Sequence, residues 1–386
     1  MNLRAKKAKD ECWVLLYQPG RVIGKIIKAL AKSFQAHSKD IFVLDISRLK
    51  PSEVRELIFK IRPQVIFTID NLLNHSFQKE LEEVSSELDA WYLCWFIDHP
   101  LGFQPEFIPK ERSIIFIWDR AYLRLLNEKG FDKVYHLPLA GDERIRAEKK
   151  AKKFKVSFLG SLRYYNQLFE ELGTSCPKIL NFADELFEES RNNFSKDRFQ
   201  LAQRILEKRD LKIYSNLDEH FKEVYKFAVC YFADQKLRKE LVCSSPARVA
   251  VFGGEEWKVL GDRITYLGKV SYDMRGEIYC ASEINLNFHQ AQCRTSLNQR
   301  VFDVPLAGGF LITDYKLDLN ELFDSHPPVC YENFEELRDL IRWWLNNPQK
   351  REKEVEKQRE EILSRHLFYH RAQQIMNIYK EITKNG

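Results

Sequence analysis

"SLNQRVFDVPLAGGFLITD", residues 296–314, is the stretch from which the rest of the chain is best read. Polar residues open it, a helical pattern follows, Gly308-Gly309 breaks that pattern, and an apolar strand ends on the carboxylate of Asp314. Helix, tight turn and apolar strand are the second half of a βαβ unit, and so of a parallel sheet. Ser296 followed by Gln299 fits a capping box, which predicts a helix starting at Ser296. Its first turn would offer backbone N–H groups and a positive dipole end to an anion. Arg300, one turn in, is a planar cation suited to bidentate phosphate binding. Asp303 lies three residues further, on nearly the same face. A carboxylate beside a phosphate needs donors of its own, and ribose hydroxyls would supply them. Anion site, Arg300 and Asp303 together point to a nucleoside diphosphate.

The same spacing also describes an ordinary amphipathic helix carrying an i,i+3 salt bridge. Against that reading, Asn298, Arg300 and Asp303 are packed into an otherwise apolar segment, VFDVPLAGGFLI. The two glycines also allow a tight helix-to-strand turn that brings the strand in close. Pro305 is expected to end or kink the helix, leaving about two turns.

Upstream of this stretch, "INLNFHQAQCRTSLN" (284–298) runs from a strand into the helix, which makes it a βα loop on the ligand side. His289, Arg294, Thr295 and Ser296 are its candidate lining residues. His289 has no second His or Cys/Asp cluster at ligand spacing, so no metal site is expected. "VSFLGSLR" (156–163) runs a strand into Gly160 and Ser161, then Arg163, a small loop where backbone can approach a phosphate. "WFIDHP" (95–100) places Asp98 and His99 at a strand end, where both residue types could act as a general base. Alternatively, Asp98 caps the next element and His99 is a loop residue. His366 and His370 are expected to pack a terminal helix.

The N-terminal part alternates apolar strands (CWVLLY, IFVLDI, PQVIFTID, AWYLCWFID, SIIFIWD, KVYHLPLA) with helical patterns of 10–15 residues. That alternation predicts a parallel sheet with helices on both faces. Four of the strands end at or near an Asp: Asp45, Asp70, Asp98 and Asp119. Open α/β sheets place their ligands at such carboxyl ends. The charge run GDERIRAEKKAKKFK (141–155) reads as a solvated linker and the best domain boundary. Beyond it, VSFLGS opens a second sheet, residues 164–208 are helical, and DLKIYS (210–215) is a further strand candidate. RVAVFGGEEW, ITYLGKV and SEINLNFH are strands, and residues 348–384 are almost all helix.

At 386 residues, with 44% hydrophobic and 13% aromatic residues, the chain is long enough and apolar enough for two packed cores. A net charge of +5, with Lys and Glu interspersed, describes a charged surface rather than a nucleic-acid footprint. Neither GxGxxG nor GxxxxGK[ST] occurs, so dinucleotide oxidoreductases and P-loop NTPases have no support. Eight cysteines without a CxxC pair read as reduced thiols. The early apolar run WVLLY is too short for a signal peptide or a membrane span. The expectation is a cytoplasmic protein.

"INLNFHQAQCRTSLNQRVFDVPLAGGFLITDYKLDLNELF", "VCYENFEELRDLIRWWLNNPQKREK" and "RHLFYHRAQQI" resemble the CgeB-like (spore-maturation) glycosyltransferase family. The resemblance covers roughly residues 156–380. It implies a GT-B fold: two Rossmann-like domains, their parallel sheets facing across a cleft, with a helical segment inserted early in the second. Residues 1–145 would be the acceptor-side domain and 146–365 the nucleotide-sugar domain. A terminal helix over 366–386 would pack back on the first. Function would be transfer of a sugar from a nucleotide-sugar to an unknown acceptor, with no cofactor and no catalytic metal. By position, Asn298 and Arg300 would lie at the phosphates and Asp303 would hold the ribose. The family core has Glu where Asp303 stands and Ala where Leu306 stands. Those departures support the alternative of a non-catalytic nucleotide- or glycan-binding protein that keeps the GT-B shell.

Overall fold

The computed structural model describes residues 11–18, 23–37, 40–70, 75–100, 108, 110–145, 151–162, 167–209 and 214–384. It divides into two compact units, Met1–Asp142 with Leu367–Gly386, and Glu143–His366.

The first unit holds six strands: β1 (Cys12–Tyr17), β2 (Asp40–Asp45), β3 (Val65–Ile69), β4 (Trp91–Phe96), β5 (Ser113–Ile117) and β6 (Val134–His136). All pair in parallel in the order β2-β1-β3-β4-β5-β6. β3 and β5 are buried along their whole length, because helices cover both faces and no residue of either strand meets water. The helices are α1 (Ile23–Ala36), α2 (Pro51–Ile61), α3 (His75–Leu88) and α4 (Leu123–Glu128), together with the last helix of the chain, Phe368–Lys384. That last helix sets Tyr379 edge-on to Trp13 at 5.3 Å, and its Arg371 donates to the carbonyls of Pro138 and Leu139.

The second unit also holds a six-stranded sheet, in a different strand order, with β7 (Phe154–Leu159), β8 (Val249–Phe252), β9 (Ile264–Tyr266), β10 (Ser282–Leu286), β11 (Leu311–Asp314) and β12 (Val329–Tyr331). The order is β12-β11-β10-β7-β8-β9, again all parallel. Among the described residues, four helices stand in place of the usual single crossover from β7 to β8: α5 (Gln167–Ser175), α6 (Lys178–Ser190), α7 (Arg198–Arg209) and α8 (Glu219–Cys243). The rest are α9 (Arg275–Ala281), α10 (Gln299–Leu306), α11 (Asp318–Leu322), α12 (Phe334–Asn346) and α13 (Pro348–Arg365). Its core joins Val156, Phe158, Val251, Ile284, Leu286 and Ile312 from the strands to Leu237, Leu241, Leu337 and Ile341 from the helices.

Two details differ from the sequence reading. α10 begins at Gln299 and its cap is Asn298, whose Oδ1 accepts the Arg300 N–H at 3.2 Å, so Ser296 is not the cap. Asn is at least as good a cap as Ser, and here it sits two residues nearer the first helical turn. Pro305 falls in the last turn of α10, which ends one residue later at Leu306, so the helix has about two turns, as the proline led one to expect. β12 was not foreseen; it is a three-residue edge strand. Gly308, with φ of 81°, makes the left-handed turn between α10 and β11, as the two glycines led one to expect. A Cβ on Gly309 would stand 2.7 Å from the Tyr279 carbonyl, so only glycine lets β11 follow so closely. The Pro19-Gly20 turn and most of the DLKIYS strand candidate lie outside the described residues; Tyr214, within the latter, is helical.

Candidate functional site

The second sheet changes direction at β7. From β7 the chain steps outward to β8 and β9, then returns to β10 on the other side. Parallel sheets open a crevice at the carboxyl ends of strands flanking such a switch point. The two loops that frame it here follow β7, at Gly160-Ser161, and β10, at Asn287–Asn298.

Arg300 sits between these loops. Its Nη1 donates to Asn287 Oδ1 at 3.0 Å, and its Cζ lies 5.9 Å from the Phe158 ring centre. A Cβ on Gly160 would be 2.9 Å from Nη2, so the absence of a side chain there is what lets the guanidinium lie along the loop backbone. No described carboxylate pairs with Arg300. Gly160 is itself fixed, donating to Phe252 and accepting from Trp257 Nε1 at 2.9 Å, while Ser161 accepts from Arg238 at 2.7 Å.

Asn287 and Asn298 lock the arrangement. Each amide nitrogen donates to the other's oxygen, at 3.1 and 3.0 Å, and Asn287 also donates to Thr313 Oγ1 at 2.9 Å. Asn298 therefore does two jobs: it caps α10 and ties the helix start to the β10 loop. Asn287 was missed in the sequence. An Asn just past a buried strand looks like any loop residue, and its partners lie 11, 13 and 26 positions away.

Asp303 is 1% exposed and already has protein donors, Arg275 at 3.1 Å and Gln299 Nε2 at 3.1 Å. Arg275 in turn stacks on Tyr272. A ribose would have to share this carboxylate, which its spare lone pairs permit. Thr295 accepts from the Asp318 N–H at 3.0 Å and Ser296 is buried. Arg294 pairs with Asp197 at 2.8 Å. Arg163 lies outside the described residues.

His289 is fully buried beyond the end of β10. Its Nδ1 lies 2.7 Å from Asp314 Oδ1, which also accepts the His289 N–H at 2.8 Å. Burial pushes the imidazole below its ordinary range, outweighing the opposing pull of Asp314, so it is neutral. Burial would raise Asp314, but His289, Lys316 and Arg198 together hold it below the usual carboxylate range. Arg198, reaching in from α7, pairs with Asp234 at 3.3 Å, approaches Asp314 at 4.0 Å and donates to the His289 carbonyl. Burial alone would lower Arg198, yet Asp234 and Asp314 hold it above its ordinary value.

In the first unit, Asp98 is exposed just past β4, and His99 sets its ring edge-on to Tyr122 at 4.5 Å. The residue that organises this turn is Asp70, noted as a strand end but given no role. Its Oδ1 accepts the N–H groups of Ile97 at 2.6 Å and Asp98 at 3.1 Å, from a left-handed backbone with φ of 52°. Desolvation, then the nearby Asp98 charge, push its carboxyl up to about 8. Of the two terminal histidines, His366 packs against Phe302 and Phe323, and His370 accepts the Leu367 N–H. Among the described residues no group of three His, Cys, Asp or Glu could hold a metal, and no helix is long and apolar enough to cross a membrane.

Two parallel six-stranded sheets, each with helices around it, define the GT-B fold. Similarity in fold extends over 97% of this chain to three solved structures. Sucrose-phosphate synthase from Thermosynechococcus elongatus matches over 100% of its length at 10% identity, with a TM-score of 0.54. AviGT4, a glycosyltransferase involved in avilamycin A biosynthesis, matches over 99% at 12% identity and 0.54. Anabaena HepE in complex with UDP-glucose matches over 99% at 11% identity and 0.53. In sequence, residues 233–377 match the family described as glycosyl transferase-like. No curated protein matches the sequence significantly.

Proposed function

We propose that the chain is a CgeB-like glycosyltransferase, moving a sugar from a nucleotide-sugar to an acceptor without a catalytic metal. The observation that carries this reading is Arg300: a cation without a carboxylate partner among the described residues, at the switch-point crevice and beside a helix start. In sugar transfer, negative charge builds on the departing diphosphate. Arg300 and the positive end of the α10 dipole are fixed in place before that charge appears, so they favour the transition state over the ground state. Gly160 leaves the phosphates room to approach, Asp303 shares its carboxylate with the ribose, and His289, Thr295 and Ser296 surround the donor. An inverting reaction would call on Asp98 or His99 as base, whereas a retaining one needs none. The match to a glycosyl transferase-like family and the likeness in fold to a protein that binds UDP-glucose support the donor class. All eight cysteines are free, which suits a reducing, cytoplasmic setting.

Arg300→Ala is expected to lower nucleotide-sugar turnover roughly 10²- to 10³-fold. Undiminished turnover would sink the phosphate role. One observation favours the second reading, a binding protein without catalysis: the ribose position holds a shorter acid already engaged by Arg275. Purified protein that binds nucleoside diphosphates yet neither hydrolyses nor transfers any nucleotide-sugar would establish that reading instead.

A further inference from the structure

The donor reading leaves a second polar group unexplained. A hydrogen-bonded line runs from Arg300 through Asn287 to Thr313, whose hydroxyl lies 3.5 Å from His289 Nδ1, and on to Asp314. At its far end, two residues beyond β11, stands Lys316. It is 3% exposed, and while its carbonyl accepts the Leu319 N–H, its ammonium makes no ion pair or hydrogen bond with another described residue. A buried ammonium that makes no ion pair of its own is costly, and the nearby Asp314 is already shared with Arg198 and His289. Desolvation and the neighbouring Arg198 both press its pKa down, and Asp314 offsets this only in part.

His289 adds a second unsatisfied atom. With Nδ1–H given to the Asp314 carboxylate, a neutral imidazole leaves a lone pair on Nε2, and that atom is buried with no hydrogen-bond partner. The loops after β10 and β11 thus hold, within electrostatic reach of each other, a lysine without an ion pair and an imidazole nitrogen without a partner, next to the same hydrogen-bonded line as the proposed phosphate clamp. Their complement is a group carrying an anion next to a hydroxyl.

Resting on the donor reading above, we propose that the transferred sugar is acidic, its carboxylate paired with Lys316 and a neighbouring hydroxyl donating to His289 Nε2. A neutral hexose would leave the lysine buried and unpaired, so selectivity comes from what the wrong donor fails to satisfy.

The test is calorimetric titration of the full chain with UDP, UDP-glucose and UDP-glucuronate, and with GDP, GDP-mannose and GDP-mannuronate. In the series that binds, the acidic sugar should bind on the order of ten- to a hundredfold more tightly than its neutral partner. Lys316→Met should erase that preference while leaving affinity for the free nucleoside diphosphate unchanged. It should also raise the melting temperature of the ligand-free protein, because an unpaired buried charge is gone; this keeps a folding defect distinguishable. Equal binding of acidic and neutral sugars overturns the proposal but leaves the donor site standing. So does a preference that survives in Lys316→Met, or a loss of free diphosphate affinity in that variant. If no diphosphate and no nucleotide-sugar of either series binds, the donor reading fails and this proposal fails with it.

Discussion

The two units are both all-parallel six-stranded sheets, but they differ in strand order, β2-β1-β3-β4-β5-β6 against β12-β11-β10-β7-β8-β9, and in the charged groups around their strand ends. In the first, carboxylates gather where β2, β3, β4 and β5 finish: Asp45, Asp70, Asp98 and Asp119. In the second, cations join the carboxylates: Arg198 and Lys316 act on Asp314 at the end of β11, while Arg238 and Arg300 stand at the loops after β7 and β10, with amides between them. The same architecture therefore carries mainly carboxylates at one set of strand ends and a mixture of cations, carboxylates and amides at the other. The sheet supplies position; the side chains set at its edge supply chemistry.

The largest effect is expected where the second unit's charges are most deeply paired. Arg198 is fully buried between Asp234 and Asp314 and joins the α5–α8 insertion to the β10 loop. Arg198→Met would strand two buried carboxylates and should cost about 3–5 kcal/mol, read from the denaturant midpoint. A loss below about 1 kcal/mol, the scale of exposed pairs, would mean the insertion does not organise the site. A smaller effect tests the loops. A Cβ on Gly253 would stand 2.7 Å from Trp257 Nε1 and press on the Gly160 carbonyl. Gly253→Ala should destabilise by about 1–3 kcal/mol and weaken nucleotide binding through Gly160 and Arg300. Unaltered binding would show that the β7 loop does not set the guanidinium's position.

The last prediction is a slope rather than a step, and it belongs to the first unit. Asp70 titrates at about 8 when folded, against an ordinary value of 3.8. Between those values the folded chain keeps a proton that the unfolded chain has lost. Stability should therefore fall as pH rises from about 4 to about 8. Asp70→Asn has no such proton, so its stability should lose that slope and exceed the wild type's most at the alkaline end. Parallel pH–stability curves for the two proteins would remove the contrast drawn between the units.

Most of the fold was legible because parallel strands buried on both faces are written as uninterrupted apolar runs. VIFTI and SIIFI leave little else to consider. β12 escaped because three residues at a sheet edge carry no such run. Arg300 was legible because the helix start, the arginine and the glycine turn are local to one another. Asn287, Arg198 and Asp70 were not, since each acts through partners far along the chain. Arg198 meets His289 across 91 positions, and Asp70 meets the Asp98 turn across 28. The cap was misplaced by two residues because Ser296 and Asn298 are both good capping residues and spacing alone does not choose between them.

Thermal unfolding of wild type and Arg300→Ala with saturating UDP, and separately GDP, tests the central claim most directly. A ligand that binds only the folded chain must raise its melting temperature, and by more the further its concentration exceeds Kd. The expected result is a clear rise for one of the two nucleotides in the wild type, largely abolished in Arg300→Ala. An equal rise in both proteins, or none in the wild type, would contradict the assignment of the second unit's strand-end crevice as a diphosphate site.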